Sequence, residues 1–195
     1  MPLSTPVSRR ALKHVRTIQV EAFSRDDGLW DIDARITDTK TRDTKLASGV
    51  RVAGTPIHDL YLRLTIDTQL TVVAAEAVSD AVPYSSFCNT IGPDYQKLVG
   101  LNLLKGFRQE LKTRLSGIDG CTHLTELAQI LPTAAIQAFA GEVFSTREGG
   151  DTDEDGQKPF QLDRCHALRT DGAAVAQFYP RWVMKSSSPA ESQSS

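Results

Sequence analysis

The sequence predicts an α+β fold, an antiparallel β-sheet covered on one face by helices. Three observations carry that expectation. Between Val15 and Ala81, apolar and polar residues alternate in runs separated by turn signals, which is the period of strands with one buried face. From about Pro93 the apolar spacing lengthens to that of helices. Strands followed by helices, with no internal repeat, is the order of an α+β architecture.

The elements follow in chain order. Ile18, Val20 and Ala22 alternate with polar neighbours, Asp26-Asp27-Gly28 is a turn signal, and Trp30, Ile32, Ala34 and Ile36 alternate again, giving an N-terminal hairpin. Residues 41–56 read as a loop ending at Gly54-Thr55-Pro56. In the second hairpin Leu60, Leu62, Leu64 and Ile66 share one face, while Tyr61, Arg63, Thr65 and Asp67 share the other. A turn near Asp67-Thr68-Gln69 leads into the fourth strand, residues 70–81.

Residues from about Pro93 to Leu115 suit two short helices broken at Gly100 and Gly106. A longer helix runs from Cys121 to about Phe139, kinked or interrupted by Pro132. The block from Phe160 to Trp182 reads as a last hairpin turning at Thr170-Asp171-Gly172. Residues 1–12 and 186–195 read as disordered tails and 145–158 as an acidic flexible loop. A single domain over 13–182 remains.

Composition narrows the function classes. With 195 residues, 40% apolar and 24% charged residues, the chain has the make-up of a globular protein. A net charge of -2 gives no footprint for nucleic acid. No apolar run has the length of a membrane span, and the first dozen residues lack the apolar stretch of a secretory signal. Three widely spaced cysteines make no disulfide framework. The expected location is the cytoplasm, with free thiols.

The candidate site follows from topology. Folding the second hairpin about residue 68 puts His58 and Asp59 at the same end of the sheet as the segment Pro83-Tyr84-Ser85-Ser86-Phe87-Cys88. If the helix opening at Gly120-Cys121-Thr122-His123 starts at that end, His58 or Asp59 meets Cys88 and Cys121. Thiolate, imidazole and carboxylate are ligands that zinc or iron takes. The predicted metal ligands are therefore His58, Asp59, Cys88 and Cys121. His123 lies two helical positions from Cys121 and faces away from it unless Cys121 stands just outside the helix. It is then expected as a substrate-facing or supporting residue and not as a ligand. Cys121, His123 and His58 are the candidate catalytic groups, the histidines as general bases and Cys121 as nucleophile. His14 reads as exposed at the start of the first strand. Cys165 and His166, if on a strand, point to opposite faces.

Two resemblances accompany these residues. GTPIHDLYLRLTID, DAVPYSSFC, YQKLVGL, GCTHLTEL and LDRCHAL together resemble an uncharacterised bacterial family, domain of unknown function 2889, from about Val15 to Trp182. That family name implies no activity. From Gly54 to about Ala140 the order of features is also similar to the NifU/IscU type of iron–sulfur scaffold, which implies a NifU/IscU-like core with an extra N-terminal hairpin. Asp59 matches that pattern's aspartate and Cys88 its middle cysteine. Ile57 stands where its first cysteine would be, and Gly120-Cys121 stands at its His-Cys.

Three readings result. The first is a metal-binding protein holding zinc or iron. The second is an enzyme of lyase or hydrolase type acting on a small organic molecule, such as an organic acid or an aromatic compound, in the same pocket. The third is a non-catalytic interaction module with no membrane or nucleic-acid partner.

Overall fold

The first hairpin forms where the alternation places it in the computed structural model of the chain, which describes residues 3–144, 146 and 158–184. Strands β1 (His14–Ser24) and β2 (Trp30–Lys40) pair antiparallel. Gly28 takes a φ of 81° in the turn, where a side chain would be strained. The segment expected as a plain loop contains a small ribbon, β3 (Thr44–Leu46) with β4 (Gly49–Arg51). Strands β5 (Pro56–Ile66) and β6 (Val72–Ala81) complete a four-stranded antiparallel sheet in the order β1-β2-β5-β6. Asp67 closes their turn by accepting the amides of Gln69 and Thr71 on Oδ1.

Parity along the strands decides which face is buried. Ile32, Ala34 and Ile36 of β2 and Leu60, Leu62, Leu64 and Ile66 of β5 are almost fully buried, and the pairs Ile36–Leu60, Ala34–Leu62 and Ile32–Leu64 lie directly opposite each other. The other face carries ion pairs. Arg63 grips Asp33 with two contacts of 2.6 Å, and Arg35 grips Asp59 with two of 2.8 Å.

The helical half begins with two 3-10 turns, Cys88–Thr90 and Gly92–Leu98, followed by α1 (Phe107–Leu115) and α2 (Thr122–Phe139). Leu124, Leu127, Leu131 and Ala135 are the buried stripe of α2, spaced as one helical face requires. Pro132 does not end the helix, which runs through it. An antiparallel sheet with one buried face plus helices is an α+β fold, as the sequence predicts. No helix among the described residues is long and apolar enough to cross a membrane.

The chain divides into two compact units, one through Ala138 and one from Phe139. In the second, the expected last hairpin is absent among the described residues. Residues 163–170 instead form a turn closed by Asp163, whose carboxylate accepts the amide and hydroxyl of Thr170. The alanine-rich stretch after Gly172 forms α3 (Ala173–Phe178), in line with alanine's strong helix preference. The acidic segment expected at 145–158 and the tail at 186–195 lie almost wholly outside the described residues.

Candidate metal centre

Asp38 continues the series Trp30, Ile32, Ala34, Ile36 by two residues, so β2 delivers a carboxylate to the buried face of the sheet. It is 3% exposed. Such a group must be paired to stay ionised, and four side chains surround it. Arg16 lies opposite it on β1 and donates Nε to Oδ1 and Nη2 to Oδ2, both at 2.9 Å. His14 Nε2 contacts Oδ1 at 2.6 Å. On the other side His58 of β5, also directly opposite, brings Nδ1 to 3.1 Å from Oδ2. His123 from the first turn of α2 brings Nε2 to 3.5 Å from the same oxygen.

The two imidazoles lie against each other, with ring centroids 3.8 Å apart and planes at 32°. Glu126, one turn along α2 from His123, accepts Nη1 of Arg16 at 2.5 Å and ties the helix to β1. Among the described residues, Asp38, His58 and His123 are the group of three whose ligand atoms all lie within 4.8 Å of one another.

The start of α2 is fixed from below by a buried hydrogen-bond chain. The amide of Cys121 donates to the hydroxyl of Tyr95, which lies 2.8 Å from Thr125 Oγ1, and Thr125 donates to the carbonyl of Leu115. Tyr95 is fully buried, and burial pushes its hydroxyl up to about 12. This chain sets the height of His123 above the sheet.

Electrostatics set the charge states of the three groups. Burial alone would raise Asp38, but hydrogen bonds from Arg16 and His14 outweigh it and hold the carboxyl at about 2. Burial lowers His58, and His123 alongside lowers it further. Burial and then Arg16 lower His123. At neutral pH the trio is one carboxylate and two neutral imidazoles.

A stability profile follows. Because the folded chain resists protons that the unfolded chain accepts, stability falls as the pH drops. The first loss begins below the ordinary histidine value of 6.5 and the second between the ordinary aspartate value of 3.8 and about 2. Urea midpoints measured against pH in the metal-free protein are expected to hold steady above neutrality and fall in those two windows. A midpoint that rises on acidification to pH about 6 would contradict the assignment.

The structure brings together some of the sequence-predicted residues and separates others. His58 and His123 meet. Cys121 stands just before the first residue of α2, the one position from which it can turn toward His123, and its Sγ lies 3.9 Å from Nδ1 of that ring. Asp59 is not with His58. Adjacent strand residues face opposite ways, so Asp59 lies on the outer face, held by Arg35. Cys88 opens the 3-10 turn Cys88–Thr90 and stands outside the cluster. Cys165 and His166 lie in the bend after Asp163, not on a strand, and also outside it. His14 is not simply exposed, since it bonds Asp38.

Sequence reasoning passes over Asp38, reads Arg16 as part of a basic, solvated edge, and takes Glu126 only as a side chain that could line a cleft. A signal existed for the first two. Arg16, Asp38 and His58 each share the parity of their strand's apolar residues, and polar side chains at buried-face parity are informative.

No curated protein and no solved structure matches the chain. The NifU/IscU likeness therefore stays a similarity in the order of residues. A family profile described as "Protein of unknown function (DUF2889)" matches residues 14–137, a span that contains every member of the cluster from His14 to Glu126. The chain belongs to the DUF2889 family.

Proposed function

We propose that this protein binds a divalent metal ion, zinc or iron, between Asp38, His58 and His123. The observation that carries the reading is the convergence of two imidazole nitrogens on Asp38 Oδ2. His58 Nδ1 and His123 Nε2 stand 3.1 and 3.5 Å from it. Metal–nitrogen and metal–oxygen bonds of about 2.0–2.1 Å set tetrahedral ligand atoms about 3.3 Å apart, so these two edges have the length of a coordination sphere, and the third lies within 4.8 Å. The longer contact is poor for a hydrogen bond and natural for an edge between ligands.

The charges fit as well. Arg16 alone would repel a cation, but Asp38 and Glu126 both pair with it. With neutral histidines the group carries a net charge of -1, which a dication reverses to +1. Arg16 then serves to orient the ligating carboxylate, as partners of metal ligands commonly do.

Three protein donors, not four, is the pattern of sites that keep a position for water or substrate. That supports the enzymatic version, with a small molecule as the partner. A bound divalent metal supplies Lewis acidity or a water acidified toward neutral pH. His58 and His123, with side chains 18% and 21% exposed, leave one edge of the site in contact with solvent. Free thiols, with no disulfide among the described residues, support a reducing location such as the cytoplasm.

The test is elemental analysis of protein prepared under reducing, anaerobic conditions. About one zinc or iron per chain is expected, lost in His58→Ala and in His123→Ala while both variants stay folded. Metal-free wild type that takes up neither ion would end the reading.

A further inference from the structure

We infer that Cys121 is a positioning residue for the metal site, accepting a hydrogen bond from His123 so that the opposite nitrogen faces the metal. This rests on the site reading above. Two distances carry it. His123 Nε2 points to Asp38 Oδ2 at 3.5 Å, and Nδ1, on the other side of the same ring, lies 3.9 Å from Cys121 Sγ, within reach of an N–H···S contact.

A neutral imidazole has one N–H and one lone pair, so the two sides of the ring are not independent. A metal-ligating histidine nearly always donates its other N–H to an acceptor. With the proton on Nδ1 and directed at the sulfur, the Nε2 lone pair faces Asp38 Oδ2. Two acceptors then face each other across 3.5 Å, and a cation between them resolves the repulsion. The alternative tautomer, with the thiol donating to Nδ1 and Nε2–H turned to Asp38, closes the site. The metal selects the first arrangement and Cys121 makes it available.

Backbone placement makes this geometry possible. Cys121 precedes the helix, and its own amide and carbonyl are anchored by the Tyr95 hydroxyl at 3.2 and 3.0 Å. The sulfur is therefore held on the side of His123. A cysteine two residues before a histidine inside a regular helix would be turned away by about 200°. The Cys-x-His pair of GCTHLTEL thus works in one site, with the sulfur behind the ligand and not on the metal.

The experiment is cobalt(II) titration of the full chain, wild type against Cys121→Ala, Cys121→Ser and His58→Ala, read by visible absorption and with folding checked by circular dichroism. Wild type is expected to show d–d bands without a sulfur-to-cobalt charge-transfer band. Cys121→Ala is expected to bind cobalt about tenfold or more weakly, and Cys121→Ser to recover part of the loss because a hydroxyl also accepts. Two results would overturn the inference and leave the site standing. One is cobalt affinity lost in His58→Ala and unchanged in Cys121→Ala. The other is a charge-transfer band in wild type that Cys121→Ser removes, which would make the sulfur a direct ligand. No cobalt uptake by wild type would end the site reading and this inference with it.

Discussion

Asp38→Ala is expected to abolish metal uptake and to destabilise the metal-free protein by about 2–3 kcal/mol, since a hydrogen bond to a charged group is worth about 1.5–3 kcal/mol. The carboxylate is 3% exposed and takes two bonds from Arg16 and one each from His14 and His58. Its removal strands a guanidinium at the edge of the core. Arg16 keeps one-third of its side chain in solvent and keeps Glu126, which holds the loss below the full cost of breaking a buried pair, about 3–5 kcal/mol. For a chain of this length that corresponds to a fall of roughly 5–10 °C in Tm.

Asp33→Ala is the matched control. It breaks an equally well-formed fork, to Arg63, but on the open face, where the arginine is about half exposed. The expected loss there is at most about 1 kcal/mol, with metal uptake intact. Thermal unfolding of the two variants side by side separates burial from pair geometry. Equal losses would contradict the assignment of Asp38 to a desolvated centre.

Gly120→Ala is expected to cost about 3 kcal/mol, at the upper end for overpacking, and to weaken metal binding as well. A Cβ built there falls 2.2 Å from the Leu115 carbonyl oxygen and 2.8 Å from its carbon. Both are backbone atoms, so no rotamer change relieves the clash. The same carbonyl accepts Thr125 Oγ1, and the Cys121–Tyr95–Thr125 chain sits on it. Separating Leu115 from Gly120 therefore moves the start of α2 and His123 with it.

Gly117 gives the comparison from the same connection. It has a φ of 60° and open space around its Cβ position, so Gly117→Ala incurs only left-handed backbone strain, about 1–2 kcal/mol. It is expected to leave metal affinity unchanged. Chemical denaturation and metal titration of both variants check this. A Gly120→Ala protein with wild-type stability and affinity would show that the helix start is not held as described.

The sheet was legible because each strand states its face by period two and each hairpin states its register by its turn. Asp26-Asp27-Gly28 sets His14 opposite Lys40 and Arg16 opposite Asp38. The turn at Asp67 brings His58-Asp59 to the end of the sheet where β6 runs out at Ala81. His58 was reachable by that route. Asp38 was equally reachable, since it keeps the parity of Ile32 and Ile36. A carboxylate near a strand end is usually solvated, so period alone does not mark it as buried.

Asp59 shows the cost of adjacency, because one step along a strand moves a carboxylate to the other face of the sheet. The side-chain partners of α2 were not legible at all. Whether Glu126 reaches Arg16, and whether Cys121 stands inside or outside the helix, depends on where the helix begins and how it docks. A one-residue shift in a helix start turns a side chain by about 100°. The last hairpin failed for a local reason. Thr170-Asp171-Gly172 is a turn signal that serves a helix start as well as a strand reversal, and the alanines after it favour the helix.

In the proposed site the metal rests on Asp38, His58 and His123 with sulfur outside the first sphere. X-ray absorption at the zinc edge of the zinc-loaded chain tests it most directly. A first shell of nitrogen and oxygen alone at about 2.0–2.1 Å is expected, with the multiple-scattering signature of imidazole. A shell at about 2.3 Å, the zinc–sulfur distance, would contradict it and put a cysteine on the metal.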